Sequence, residues 1–255
     1  MIKLSDRLQI IADRIQPSRT MADIGTDHGL LPVYLAENGI CSSVIMADIS
    51  EPSLDKARLN AMKCDPEIRG IMDFRAGDGL SILDVGEVDA VVIAGMGGKL
   101  IRDIMATDME ITLSVNRFVL QPRIGQGYLR KWLYDNGFDV ICEDLVVEGD
   151  YIPEIITAVS PGKDCTDSAL SSRYADRIID FDADADGESM VWRIPPWIVE
   201  ASGPVPEFLQ RNIEREKTKL KNVMMAKVRN GRLEEEICRD ISYLTALAEE
   251  YEHGK

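Results

Sequence analysis

Short apolar runs alternate with amphipathic segments from the start of this 255-residue chain to about residue 160, and that alternation constrains the fold more than any other feature. Leu4, Leu8, Ile11 and Ile15 recur at helical spacing, and Pro17 closes that helix. Strands are then expected at 20–24, 43–48, 71–75, 88–94 and 118–121. Helices are expected at 30–38, 51–63, 98–105 and 125–136, with Gly39 and Gly137 ending two of them. The run Val88 to Ala94 is continuously apolar, as a strand buried on both faces must be. Such alternation predicts an α/β fold with a parallel sheet covered by helices. The pattern then breaks. Asp139 to Val147 and Glu154 to Ser160 are two strands joined by Glu148-Gly149-Asp150-Tyr151 with no helix between, so an antiparallel last strand is expected.

Beyond residue 161 the chain changes character. Residues 162–204 read as an acidic linker or insertion, and 205–255 as a separate helical unit. Pro206 to Arg229 and Arg232 to Glu252 carry the stripes Leu209, Ile213, Leu220, Met224, Val228 and Leu233, Ile237, Ile241, Leu244, Ala248, Tyr251. These predict an antiparallel coiled-coil hairpin, with Gly231 free to end the first arm in a left-handed conformation. Asp182, Asp184, Asp186 and Gly187 resemble the start of a calcium loop, but its twelfth position is Arg193 rather than Glu, so no metal is expected. The five cysteines lack C-x-x-C spacing, which disfavours a zinc site or a disulfide framework. Met1 to Ile15 has charge throughout and no signal-like apolar run, and no segment is long enough to span a bilayer. A soluble cytoplasmic protein is expected.

The strand ends carry the chemistry. Met21-Ala22-Asp23-Ile24 runs into Gly25-Thr26-Asp27-His28-Gly29, where glycine lets a ligand approach the backbone. The loop is not G-x-G-x-x-G, which disfavours a dinucleotide and a dehydrogenase. Asp48 ends the second strand, and Asp78 follows the third in Ala76-Gly77-Asp78-Gly79. Three acids after three consecutive strands suit a nucleoside without phosphate, such as S-adenosylmethionine. The competing reading is that each merely caps the next helix. The fourth strand ends in Ala94-Gly95-Met96-Gly97-Gly98, a bare backbone surface for a planar group or a tight turn. Gln121-Pro122-Arg123 ends the fifth, and proline holds Gln121 extended, where its carboxamide could read a base edge.

Leu4-Ser5-Asp6-Arg7-Leu8, Asp23 to Gly29, Ala76-Gly77-Asp78-Gly79-Leu80, Val92 to Gly98 and Leu120-Gln121-Pro122 together resemble the bacterial tRNA (adenine-22-N1)-methyltransferase family. The likeness covers residues 4 to 160 and extends loosely to the hairpin. This chain has Arg123 where the family carries Asn, and residues 163–188 match nothing in that pattern. The resemblance implies a Rossmann-like class I methyltransferase sheet with a coiled-coil appendage, S-adenosyl-L-methionine as cofactor and tRNA as partner. It places Arg7, Asp23, Gly25, Thr26, Asp48, Ile49, Gly77, Asp78, Gly79, Ala94 and Gly95 at the cofactor. Asp27, His28, Gly95, Met96, Gln121 and Pro122 fall where the base reacts. Asp27 is the electrostatic candidate, and His28 either meets the ligand or orders its loop. Arg7 could meet the methionine carboxylate or remain an exposed helix arginine.

A net charge of −15 opposes nonspecific binding to nucleic acid, so a tRNA substrate requires local positive charge. Between 206 and 232 there are eight basic residues against three acidic, a net +5. Arg211, Arg215, Lys217, Lys219, Lys221, Lys227 and Arg229 are the candidate tRNA contacts, unless they only flank the hairpin seam opposite its acidic second arm. Two alternatives stay open: a methyltransferase acting on another RNA, a protein or a small molecule, and a noncatalytic nucleoside-binding module.

Overall fold

The computed structural model describes residues 2–15, 18–163, 186–226 and 230–254. Seven strands form one sheet in the order β3-β2-β1-β4-β5-β7-β6. Strands β1 (Thr20–Ile24), β2 (Ser43–Asp48), β3 (Met72–Ala76), β4 (Ala90–Met96) and β5 (Arg117–Pro122) run parallel. The order reverses between β1 and β4, which opens a crevice at their carboxyl ends. The last strand in the chain, β7 (Glu154–Val159), is the antiparallel one, yet it is not at the sheet edge. It lies between β5 and β6 (Asp139–Leu145) and pairs antiparallel with both.

Both faces of the sheet are covered, which explains the continuous apolar strands. Val91 and Ile93 of β4 face one core, with Ile101 and Met105 of α5 (Gly98–Thr107) and Leu129 and Leu133 of α7 (Gln126–Asp135). Ala90 and Val92 face the other, with Ile11 and Ile15 of α1 (Asp6–Ile15), Leu35 of α2 (Leu30–Glu37) and Ala57 of α3 (Glu51–Ala61). Two short helices, α4 (Pro66–Arg69) and α6 (Met109–Ser114), escape a periodicity argument because neither makes two turns. Asp108 identifies α6 chemically, since its carboxylate accepts from the N–H groups of Glu110 and Ile111.

Within the expected 162–204 linker, Asp182 and Asp184 lie outside the described residues, as does Cys165. The segment that follows is no solvated connector. It forms the short helix α8 (Met190–Arg193) and a 3-10 turn at Pro196–Glu200, and it buries Trp192, Ile194, Trp197 and Ile198. A buried ionic group fixes it to the sheet. Arg130 of α7 donates to Glu143 at 2.9 Å, to Glu154 at 2.5 Å and to the Arg193 carbonyl at 2.8 Å. Trp197 donates its indole N–H to Glu143 at 2.8 Å.

Helices α9 (Val205–Met224) and α10 (Gly231–His253) make the hairpin. Near its root Leu209, Ile213, Leu244 and Leu247 join Leu145 and Ile198 in a third core, and Ile237 is buried farther out along the seam. Leu233 and Met224, placed in the stripes by periodicity, are exposed near the tip, and Val228 lies outside the described residues. Gly231 does not end the first arm in a left-handed turn. It opens the second arm, and the Asn230 side chain caps that helix by accepting from the Leu233 N–H at 3.2 Å. Among the described residues no helix is long and apolar enough to cross a membrane.

Candidate functional site

The crevice between β1 and β4 is a cleft of about 610 Å³. Each segment at its rim folds as it does for a local reason. After β1 the N–H groups of Gly25 and Thr26 both donate to the Ala47 carbonyl of β2, at 2.8 and 3.0 Å. Gly25 adopts φ +77°, and a Cβ there would stand 2.2 Å from the Met96 Cε. The turn therefore needs glycine for its conformation, while the Met96 methyl, at the end of a flexible side chain, packs into the space a Cβ would take. Asp27 follows at φ +44°, a strained value for a residue with a side chain and the kind of outlier that collects at ligand sites. Its carboxylate meets Lys56 at 2.9 Å and His28 at 3.4 Å and is half exposed to the cleft.

Asp23 is buried at the end of β1 and accepts from the Thr26 hydroxyl at 2.7 Å. Burial pushes its carboxyl up to about 6, and the neighbouring Asp48 charge pushes the same way against the Thr26 hydrogen bond. Asp48 accepts from the Ser50 N–H at 2.8 Å and from the Asp27 N–H at 3.4 Å, so it orders the loop as well as facing the cleft. Asp78 caps nothing with its side chain. The 3-10 turn that follows has no side-chain cap, and the Ser81 hydroxyl donates to the Asp78 carbonyl instead. Among the described residues the helix-capping alternative therefore fails at Asp78, which is exposed and lines the cleft.

The three glycines of the β4 turn do different work. Gly95 sits at φ +80° with nothing within 4 Å of where a Cβ would be, so it is the bare surface. At Gly98 a Cβ would be 2.3 Å from the Gly125 carbonyl oxygen, so that glycine exists for the close approach of α5 to the loop before α7. Gly97 meets neither demand.

The cleft fits a nucleoside bearing a positive charge. Asp23, Asp27, Asp48 and Asp78 all line it, Ile49 is 76% exposed beside them as an apolar wall, and Gly95 leaves room for a flat group. Two cations line it as well, Arg7 and Arg123, which leaves carboxylates in excess. That excess repels a pyrophosphate and favours a sulfonium.

Gln121 and Pro122, expected at the reacting base, do not line this cleft. They lie in a second one of about 760 Å³, between the carboxyl end of β5 and the root of α9. The Gln121 carboxamide is buried and already engaged, accepting from Arg7 at 3.1 Å and donating to the Pro122 carbonyl at 3.1 Å. Arg7 also meets Glu148 at 3.2 Å through its Nε and lines the first cleft, so it is not merely a solvated helix arginine. Arg7, Gly95 and Arg123 line both clefts and form their common wall.

The basic residues of the first arm divide. Arg211 and Arg215 line the second cleft, and Arg211 donates to the Asp150 carbonyl at 2.7 Å. Lys217 and Lys219 point along the arm and pair with Glu214 at 3.0 Å and Glu216 at 2.6 Å on their own helix. Lys221 is exposed, while Lys227 and Arg229 lie outside the described residues. Sequence reasoning missed much of the lining of this second cleft, Tyr151, Glu154 and Arg193 among it. Tyr151, 77% exposed in the β6–β7 turn, had a usable signal, because an aromatic ring in a polar turn has no packing reason to be there. Glu154 and Arg193 had none, since each depends on which strand pairs with which.

A Rossmann-like sheet with an inserted antiparallel strand, and an acid-rich nucleoside cleft at its switch point, define an S-adenosylmethionine-dependent methyltransferase. A family model described as a methyltransferase domain matches residues 4–156. Over 170 residues the chain is 34% identical to the tRNA (adenine(22)-N(1))-methyltransferase of Bacillus subtilis (strain 168), covering 67% of this chain and 71% of that one. The crystal structure of the B. subtilis M1A22 tRNA methyltransferase TrmK matches with a TM-score of 0.77 at 26% identity, over 97% of this chain and 100% of that one. Streptococcus pneumoniae Sp1610, solved in complex with S-adenosyl-L-methionine, shares the fold with a TM-score of 0.75 at 22% identity, over 96% of this chain and 100% of that one. The chain belongs to the tRNA (adenine(22)-N(1))-methyltransferase family.

Proposed function

We propose that the chain methylates N1 of adenine 22 in tRNA, with the cofactor in the first cleft and the target base in the second. The observation that carries this reading is the shared wall, because only Arg7, Gly95 and Arg123 stand between an acid-rich nucleoside cleft and an arginine-rich one. S-adenosylmethionine, when bound, supplies an electrophilic methyl on a cationic sulfonium. Asp48 and Asp78 would hold its hydroxyl and amino groups, and Ile49 and Gly95 would flank its flat parts.

Adenine N1 has an in-plane lone pair at neutral pH, so no residue has to remove a proton before transfer. The chain's task is alignment of the two reactants, which can supply several kcal/mol. The methylated ring is cationic, and Asp27, which lines the cofactor cleft and is shared with Lys56, is our candidate for offsetting that charge from across the common wall. His28 serves the loop: its carbonyl accepts from Asn60 at 2.9 Å and its ring stands beside Asp27. The target base must leave its stack to enter, and Tyr151 offers an exposed face for it. Residues 1–161 carry the chemistry. The arm at 205–255 extends the surface for tRNA, with Arg211 and Arg215 at its root and Lys217, Lys219, Lys221, Lys227 and Arg229 toward its tip. Lys217 and Lys219 contribute less than full charges, since each already has a glutamate partner.

Transcripts of one tRNA carrying A or G at position 22 test the reading. Methyl incorporation into the A22 transcript only is the expected result. Equal incorporation into both would show that the site lies elsewhere.

A further inference from the structure

The second cleft concentrates positive charge in a chain whose net charge is −15. Arg7, Arg123, Arg193, Arg211 and Arg215 line it, against Glu148, Asp150 and Glu154. Most of these arginines are committed. Arg7 meets Glu148 at 3.2 Å, Arg193 meets Glu216 at 3.4 Å, and Arg211 meets Glu207 at 2.7 Å.

Arg123 and Arg215 are different. Arg123 is exposed and pairs with no carboxylate among the described residues. Its backbone is nevertheless fixed, because its N–H donates to the Met96 carbonyl at 2.7 Å and Pro122 precedes it in register with Met96. Arg215 donates to the side-chain carbonyl oxygen of Asn212 and, among the described residues, makes no direct ion pair. Partial burial and the Arg193 charge push its guanidinium below the ordinary arginine range, against the pull of the more distant Glu216 and Glu154 carboxylates. Two guanidiniums without a direct carboxylate contact, one of them crowded by a third cation, favour an anion between the walls.

We propose that Arg123, from the loop after β5, and Arg215, from the root of the hairpin, bind the phosphodiester flanking the target nucleotide, so that the enzyme selects a nucleotide within a strand over a free nucleoside. The proposal rests on the tRNA reading above. Planar guanidiniums suit phosphate, and the position of Arg123 on the wall shared with the cofactor cleft ties phosphate capture to placement of the base beside the methyl group.

The test is fluorescence anisotropy of labelled tRNA across a salt series, with the wild type and with Arg123→Gln, Arg123→Lys and Arg215→Gln. S-adenosylhomocysteine affinity is measured by calorimetry on each protein. Both glutamine variants should bind tRNA about fivefold or more weakly at low salt, with the log–log salt slope reduced by about 0.7–0.9 each. Arg123→Lys should restore the slope, and all variants should bind S-adenosylhomocysteine within about twofold of wild type. Wild-type tRNA affinity and slope in both glutamine variants would overturn the phosphate site while leaving the tRNA reading intact. A loss confined to S-adenosylhomocysteine would overturn it in favour of a cofactor contact. Absence of salt-dependent tRNA binding by the wild type would overturn the tRNA reading itself, and this site with it.

Discussion

Asp78→Ala isolates ligand binding from folding. The Asp78 carboxylate caps no helix, and its neighbour Ser81 bonds to the backbone carbonyl rather than to the side chain. Removing the carboxylate therefore breaks no named contact of the free protein, and the melting temperature without ligand should move by less than about 1 °C. A charge-assisted hydrogen bond to bound cofactor is worth about 1.5–3 kcal/mol, so affinity should fall roughly ten- to a hundredfold. Asp48→Ala is the instructive contrast. It would lose comparable ligand bonds and also release the Ser50 N–H held at 2.8 Å, so it should lower the melting temperature as well. Titration calorimetry with S-adenosylhomocysteine reads the affinities, and thermal unfolding reads the stabilities. If Asp78→Ala binds within about twofold of wild type, the carboxylate does not hold the cofactor and the assignment of the third strand end is wrong.

Three further outcomes follow from other contacts. Asp27→Asn tolerates the left-handed backbone and keeps the side-chain shape, so kcat with saturating substrates should drop about tenfold while S-adenosylhomocysteine affinity holds; unchanged kcat would remove Asp27 from the chemistry. Asp23 titrates near 6 in the folded chain against 3.8 ordinarily, so its contribution to stability is present below about pH 3.8 and lost as pH rises through 6. Asp23→Asn should therefore gain up to about 3 kcal/mol over wild type above pH 7 and nothing at pH 3.5, and an equal gain at both pH values in urea unfolding would refute the linkage. Arg130→Ala leaves Glu143 and Glu154 buried without their cation and should cost about 3–5 kcal/mol in urea unfolding, a loss that a midpoint near wild type would disprove.

How much of this was legible in the sequence depended on whether the cause was local. Strand β1 at 20–24 and strand β2 at 43–48 have the bounds that pattern alone gave, because each is an apolar run closed by a glycine or aspartate. The strand-end acids could be read for the same reason, since parallel topology places them together. Position in the sheet could not be read: nothing local tells β7 to insert between β5 and β6. That insertion decides that Glu154 faces the second cleft, that Arg130 is buried between two glutamates, and that residues 190–201 pack on the sheet. The basic arm was visible as composition, but only the folded helix shows that Lys217 and Lys219 spend their charge on Glu214 and Glu216. Gln121 was visible as a candidate, yet its engagement by Arg7 spans 114 residues of sequence and no pattern carries it.

The central claim is that the two clefts join a methyl donor to adenine N1 of tRNA. Incubation of the protein with unmodified tRNA and methyl-labelled S-adenosylmethionine, followed by digestion to nucleosides and chromatography, tests it directly. Label should appear in 1-methyladenosine and in no other nucleoside. Label in a different methylated nucleoside, or tRNA that stays unlabelled, would contradict it.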